Sequence, residues 1–146
     1  MLKAKRIAVV GATGMVGQTF LNLLQNDFYP DAEIVLLASK KSAGKIIEFR
    51  KKEHEVQDLS SFDFSSTDLA LFSAGASVSS KYAPKAVSQG CVVVDNSSRF
   101  RYEDDIPLIV PEVNGHELNN FQIPNISANP NCSTIQMLVA LKPLHN

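Results

Sequence analysis

Arg6-Ile7-Ala8-Val9-Val10-Gly11-Ala12-Thr13-Gly14-Met15-Val16-Gly17 is the stretch from which the fold is read. A run of strand character leads straight into a glycine turn. Behind the turn, Val16, Phe20, Leu23 and Leu24 recur at i, i+4, i+7 and i+8, the spacing of one helix face. Strand, glycine turn and helix in that order form a dinucleotide fingerprint, in which backbone approaches a pyrophosphate and the phosphate rests on the helix N-terminus. The spacing is Gly-x-x-Gly-x-x-Gly rather than Gly-x-Gly-x-x-Gly, so a purely structural tight turn stays open beside the cofactor reading.

Working outward, short continuous apolar runs predict strands at residues 5–10, 33–38, 69–73, 91–95, 107–110 and 125–128. Helical spacing predicts helices at 14–26, at 77–89 with a break or restart near Pro84, and at 132–142, where Pro143 ends the helix. The alternation implies a Rossmann-like α/β fold: a doubly wound, mostly parallel sheet with helices on both faces, in one domain spanning residues 1–146. Ile46-Ile47-Glu48-Phe49 and Glu55-Val56-Gln57-Asp58-Leu59 read as short edge strands of antiparallel type. The charged run from Arg50 to Glu55 between them reads as a solvated turn.

Length and composition bound the function. The chain has 146 residues, 45% hydrophobic and 20% charged, enough for one domain with a real core. A net charge of −1 with both signs dispersed gives no footprint for nucleic acid, and the aromatics are not interleaved with basic residues. No apolar run reaches membrane-spanning length, and the Met1–Arg6 leader shows no secretory signal, so a cytoplasmic protein is expected. No metal site is expected. Of the two cysteines, Cys91 opens a strand and reads as a buried residue, and no disulfide to Cys132 is expected.

In open parallel sheets ligands bind beyond the carboxyl ends of the strands, and the polar clusters fall there. Ser73-Ala74-Gly75 follows one strand, Asn96-Ser97-Ser98-Arg99-Phe100-Arg101 another, and Asn129-Pro130-Asn131-Cys132-Ser133-Thr134 a third. After residues 33–38 the chain continues Ser39-Lys40-Lys41-Ser42, hydroxyls and cations where an acid would repel a 2′-phosphate, which favours NADP over NAD. Asn131 is a favoured N-cap, which places Cys132 at the first helical position, where unpartnered N–H groups and the helix dipole stabilise a thiolate. From its own surroundings Cys132 divides evenly between nucleophile and small core residue. Arg101 can grip carboxylate or phosphate through its fork; for Arg99 a surface salt bridge is the better reading.

Taken together these motifs resemble the amino-terminal, cofactor-binding part of the aspartate-β-semialdehyde dehydrogenases. The resemblance runs along nearly the whole chain. It is carried by Gly11–Gly17, Leu37-Ala38-Ser39 with Ser42-Ala43-Gly44, Leu71–Gly75, Val94–Ser98, Phe100-Arg101, Val110–Asn114 and Asn129–Gln136. It implies NADP-dependent reductive dephosphorylation of L-aspartyl-4-phosphate to L-aspartate-4-semialdehyde, in the synthesis of lysine, threonine and methionine. It implies a Cys132 acyl-thioester, with Arg101 on the substrate phosphate or inorganic phosphate and Asn96 and Asn131 shaping the substrate site. For the cofactor it implies Gly11, Thr13, Gly14, Met15, Val16, Gly17, Ser39, Lys41, Ser42, Ser73, Ala74 and Gly75. Members often carry Arg where this chain has Lys41, which would make the 2′-phosphate grip a point charge without a planar fork.

The same resemblance implies that the catalytic histidine and further substrate-binding groups come from a second domain, absent from this chain, that also forms the main surface of a homodimer or homotetramer. His54, His116 and His145 each read as solvated surface residues. The expectation is therefore a cofactor-binding half, inactive alone. Two other readings stand beside it: an N-acetyl-glutamyl-phosphate reductase-like enzyme, and a non-catalytic module that binds or senses NADP.

Overall fold

In β1 (Arg6–Val10) every residue from Ile7 to Val10 is buried, because strands pair with it on both edges and helices cover both faces. The computed structural model describes residues 3–26, 28–122 and 125–145; Met1 and Leu2 of the leader lie outside them. The chain proceeds through α1 (Met15–Gln25), β2 (Glu33–Ala38), β3 (Ile46–Phe49), β4 (Lys52–Glu55), β5 (Gln57–Asp58) and a 3₁₀ turn (Leu59–Ser61). Then come β6 (Leu69–Phe72), α2 (Ala76–Ser88), β7 (Val92–Asp95), α3 (Pro111–Asn114), a 3₁₀ segment (Gly115–Asn120), β8 (Ile126–Ala128) and α4 (Cys132–His145).

The main sheet has the order β5-β2-β1-β6-β7-β8, and every pair in it is parallel. The chain leaves β1 toward β2 on one side and returns to β6 on the other, so the order reverses at β1 and opens a crevice at its carboxyl end. Two cores lie on opposite faces. Leu21 and Leu24 of α1 pack with Ile7, Val9, Ile34 and Leu36. On the other face, Ala83 and Ala86 of α2 pack with Ala8, Val10, Leu37, Phe72 and Val93. This is the expected doubly wound fold.

Four local expectations are corrected. The run Arg50–Glu55 is not all turn: Lys52–Glu55 pairs antiparallel with β3, and Arg50 and Lys51 alone make the bend, both at positive φ (50° and 60°). Of the strand expected at residues 55–59, Glu55 ends β4 and only Gln57–Asp58 form β5, which pairs parallel with β2 and stops where Asp58 caps the following 3₁₀ turn through the Ser60 N–H. Residues 107–110 form only one bridge, Leu108 to Ala128. Pro107 has no N–H, the Val110 N–H is taken by the Asn114 side chain, and Pro111 opens α3. Neither Pro84 nor Pro143 ends its helix; both lie inside it on exposed positions.

Candidate active site

At the crevice Gly11 adopts φ +88°, and a Cβ there would lie 3.0 Å from the backbone of Ser73, so only glycine fits between the ends of β1 and β6. Gly11 and Ala12 donate their N–H groups to the Leu37 carbonyl (2.8 and 3.1 Å), which ties the turn to the end of β2. Gly17 is buried under the turn, where a Cβ would come within 2.2 Å of the Gly11 carbonyl oxygen. Helix α1 is thereby drawn against the strand end.

Beyond the turn lies a cleft of about 500 Å³ lined by Gly11, Thr13, Gly14, Ala38, Ser39, Lys40, Asp58, Leu59, Ser60, Ser73, Ala74, Val78 and Tyr82. Gly11, Thr13, Gly14, Ser39, Ser73 and Ala74 of the sequence reading are among them. Met15 and Val16 stand exposed at the start of α1, and Gly75 is the N-cap of α2 at φ +91°. Ser42 folds back, donating its N–H to Ser39 O (2.8 Å). Lys41 is exposed and does not line the cleft, whereas Lys40 does. Lys40 entered the sequence reading only as one of the cations in Ser39–Ser42, and Ala38, Asp58, Leu59, Ser60, Val78 and Tyr82 were not assigned to the site. Val78 and Tyr82 carried a signal, since they stand i, i+4 on the helix that follows Ser73–Gly75; Asp58 had none before β5 was placed beside β2.

The cleft fits a dinucleotide. The N-caps of both α1 and α2 are glycines that give no side-chain cap, and neither helix has an acid in its first turn. Two sets of uncapped backbone N–H groups therefore remain for anionic oxygens, and the missing Cβ atoms leave room for backbone to touch them.

The thiol lies along the same sheet edge, beyond the carboxyl end of β8. From β1 to β8 there are three strand steps of roughly 4.8 Å, so the glycine turn and the Cys132 turn stand about 14 Å apart. Asn131 caps α4 as expected: its Oδ1 accepts the Ser133 N–H at 3.0 Å, and its carbonyl accepts the Ile135 N–H at 3.0 Å. Cys132 at the first position of α4 is exposed. Cys91 is the opposite case: it is buried, and burial pushes its thiol up to about 12. Both thiols are free.

The loop after β7 is fastened to this turn. Arg101 donates from Nε to the Asn129 carbonyl (2.9 Å) and from Nη2 to the Asn96 carbonyl (3.2 Å), and Asn129 Nδ2 donates to Asn96 Oδ1 (2.8 Å). Asn96, Arg101 and Asn131 are thus brought to one turn. Beneath them the fully buried Asp95 carboxylate accepts the Ser79 and Ser97 hydroxyls, both at 2.6 Å, while its carbonyl accepts the Asn129 N–H at 2.8 Å. Arg99 instead pairs with Glu103 at the surface, as expected.

The histidines lie on three separate elements, and His116 is exposed in the 3₁₀ segment Gly115–Asn120. His54 is on β4 against Phe49, and His145 is at the far end of α4, roughly 20 Å along the helix from Cys132 at about 1.5 Å per residue. Among the described residues no hydrogen bond joins a histidine to Cys132, and no His, Cys and acid cluster of metal-binding type occurs. No described helix is long and apolar enough to cross a membrane.

A profile of the family described as "Semialdehyde dehydrogenase, NAD binding domain" matches residues 6–121. The aspartate-semialdehyde dehydrogenase of Legionella pneumophila is 56% identical over 146 residues, covering 100% of this chain and 42% of that protein. Among solved structures, aspartate semialdehyde dehydrogenase II of Vibrio cholerae, complexed with ASA, superposes with TM-score 0.91 at 54% identity, over 96% of this chain and 46% of that one. The Candida albicans enzyme, solved with NADP, superposes with TM-score 0.81 at 31% identity, over 96% and 46%. The chain spans less than half the length of each of these relatives.

Proposed function

Because this chain belongs to the semialdehyde dehydrogenase family through its NAD-binding domain, we propose that it is the NADP-binding, thiol-bearing part of an enzyme that reductively dephosphorylates L-aspartyl-4-phosphate to L-aspartate-4-semialdehyde. The observation that carries the reading is an exposed thiol at the capped start of α4, with Arg101 tied to the same turn and the cleft further along the same sheet edge.

The chemistry follows from those residues. The Cys132 sulfur attacks the acyl carbon, an S–C bond forms, the C–O bond to phosphorus breaks, and phosphate leaves. Arg101 stabilises the departing phosphate with the part of its fork not spent on the Asn96 and Asn129 carbonyls. The resulting thioester is electrophilic enough to accept hydride, as a carboxylate is not. NADPH, when bound, supplies that hydride. Backbone N–H groups in the first turn of α4 stabilise the oxyanion, and collapse of the thiohemiacetal releases the aldehyde and returns the thiol.

Ser39 and Lys40 at the end of β2 are assigned to the 2′-phosphate, with Lys41 and Ser42 just behind them, and the glycine turn to the pyrophosphate. The proton-transfer partner is assigned to residues outside this chain, which is a single cofactor-binding domain of a cytoplasmic homodimer or homotetramer. Support comes from the placement of His54 on β4 against Phe49 and of His145 at the far end of α4 from Cys132, and from Met137 and Leu144 of α4, 55% and 82% exposed.

The test combines titration of NADPH fluorescence with the chain, a phosphate-dependent semialdehyde oxidation assay, and mass spectrometry after addition of L-aspartyl-4-phosphate. Binding without steady-state turnover is expected, together with one hydroxylamine-sensitive acyl adduct on Cys132 that Cys132→Ser abolishes and Arg101→Lys slows about tenfold or more. An adduct elsewhere, or none, would defeat the assignment of Cys132. Full turnover by these residues alone would defeat the assignment of the proton-transfer partner.

A further inference from the structure

The cofactor cleft changes character along its length. The glycine turn offers backbone N–H groups, the end of β2 offers Ser39 and Lys40, and one strand further out Asp58 stands opposite Ala38 in the β2–β5 register. Beside Asp58 the walls turn apolar and aromatic: Leu59 is buried, and Val78 and Tyr82 project from α2. This is a slot for a flat heteroaromatic base, whose polar edge then needs partners.

Among the described residues, Asp58 is the only acid lining the cleft. It is held in place: its Oδ1 accepts the Ser60 N–H at 2.9 Å. Hydrogen bonds from the Ser60 backbone and hydroxyl, with Lys40 nearby, keep its carboxyl below the usual carboxylate range, so it only accepts at neutral pH. A carboxylate has about four acceptor positions, so capacity remains beyond Ser60. A negative charge aimed at a 2′-phosphate would oppose Lys40. Aimed at the base, it meets the one hydrogen-bond donor on the adenine edge, the 6-amino group.

We propose that Asp58 accepts a hydrogen bond from the adenine 6-amino group and so sets the cleft's preference for adenine over 6-oxopurine dinucleotides. The proposal rests on the cofactor reading above and adds the part of the cofactor that Asp58 recognises. A hydrogen bond to a charged group is worth enough to give about tenfold discrimination or more.

The test is calorimetric binding of NADP⁺, of its hypoxanthine analogue and of NAD⁺ to the full chain, as wild type, Asp58→Asn and Asp58→Ala. Wild type is expected to bind NADP⁺ at least about tenfold more tightly than the hypoxanthine analogue. In Asp58→Asn the side-chain oxygen stays on the Ser60 N–H, so the amide NH₂ faces the base and the preference turns toward the 6-oxo analogue. Asp58→Ala loses the preference without reversing it. Unchanged base preference in both variants overturns the proposal, as does a change confined to the NADP⁺ to NAD⁺ ratio, which would put Asp58 on the ribose. If wild type binds none of the three, the cofactor reading falls and the proposal with it.

Discussion

Replacing Arg50 by alanine is expected to cost about 2–4 kcal/mol of stability, because its guanidinium holds together the chain between α1 and β2. Nη2 donates to the carbonyls of Leu24 (2.8 Å), Phe28 (3.3 Å) and Tyr29 (2.9 Å), and Nη1 to those of Pro30 (2.8 Å) and Ala32 (3.3 Å). Leu24 lies in the last turn of α1, where carbonyls have no intrahelical partner. Charge-assisted bonds contribute roughly 1.5–3 kcal/mol each, but they share one half-buried side chain and are not additive, so about 2–4 kcal/mol is the net loss. Backbone strain pulls the other way. At φ 50° Arg50 sits in the left-handed region, at a cost of roughly 1–2 kcal/mol that glycine avoids. The clamp outweighs the strain, so Arg50→Gly still destabilises, though by less than Arg50→Ala. Lys51→Gly, at φ 60° and with no clamp to lose, stabilises by up to about 1 kcal/mol. Arg50→Lys, which keeps the charge but not the fork, falls between wild type and alanine. Urea unfolding followed by circular dichroism at neutral pH measures all four, with a drop in Tm of about 5–15 °C for Arg50→Ala as a check. Arg50→Ala within about 0.5 kcal/mol of wild type, or Arg50→Gly more stable than wild type, would refute the reasoning.

Thiol titration at pH 8 should count one fast-reacting cysteine in the native chain, Cys132, and two after unfolding, since Cys91 is buried with its thiol near 12. The folded state keeps the Cys91 proton that the unfolded chain, at an ordinary thiol pKa of about 8.5, gives up. That contribution to stability is whole below about pH 8.5 and declines as pH rises toward about 12, so urea midpoints between pH 8 and 11 should fall less for Cys91→Ala than for wild type. Gly17→Ala should lose about 1–3 kcal/mol and most NADPH binding, because the added methyl meets only backbone atoms. Gly14→Ala, whose Cβ would stand 3.4 Å from Gly11 O, should unfold almost like wild type yet bind NADPH poorly, since Gly14 lines the cleft.

What could be read from the sequence was what depends on local period. Arg6–Gly17 carries its own evidence, with a strand, a turn and a helix face in consecutive residues, and Asn131 capping Cys132 needs only its neighbours. Proline misled where solvent makes up for the missing N–H. The carbonyl left by Pro84 belongs to Ser80 and that left by Pro143 to Val139, both exposed, so neither helix has to stop. Arg50 and Lys51 read as plain charge because a tight bend of this kind normally carries Asn-Gly, and the compensation for its backbone lies in carbonyls about twenty residues upstream. The same holds for the cleft. Asp58 acquires a neighbour in Ala38 only when β5 pairs with β2, and Arg101 reveals its tether only when β7 and β8 lie side by side.

Asp95 has a consequence for anyone evolving this scaffold. Its side chain holds α2 through Ser79 and its main chain holds Asn129, so one residue is shared by the wall of the nucleotide cleft and the ledge on which the sulfur stands. Substitutions at Ser79, Asp95 and Asn129 should therefore show strong epistasis. Libraries built to retune one end while freezing the other will select the two together.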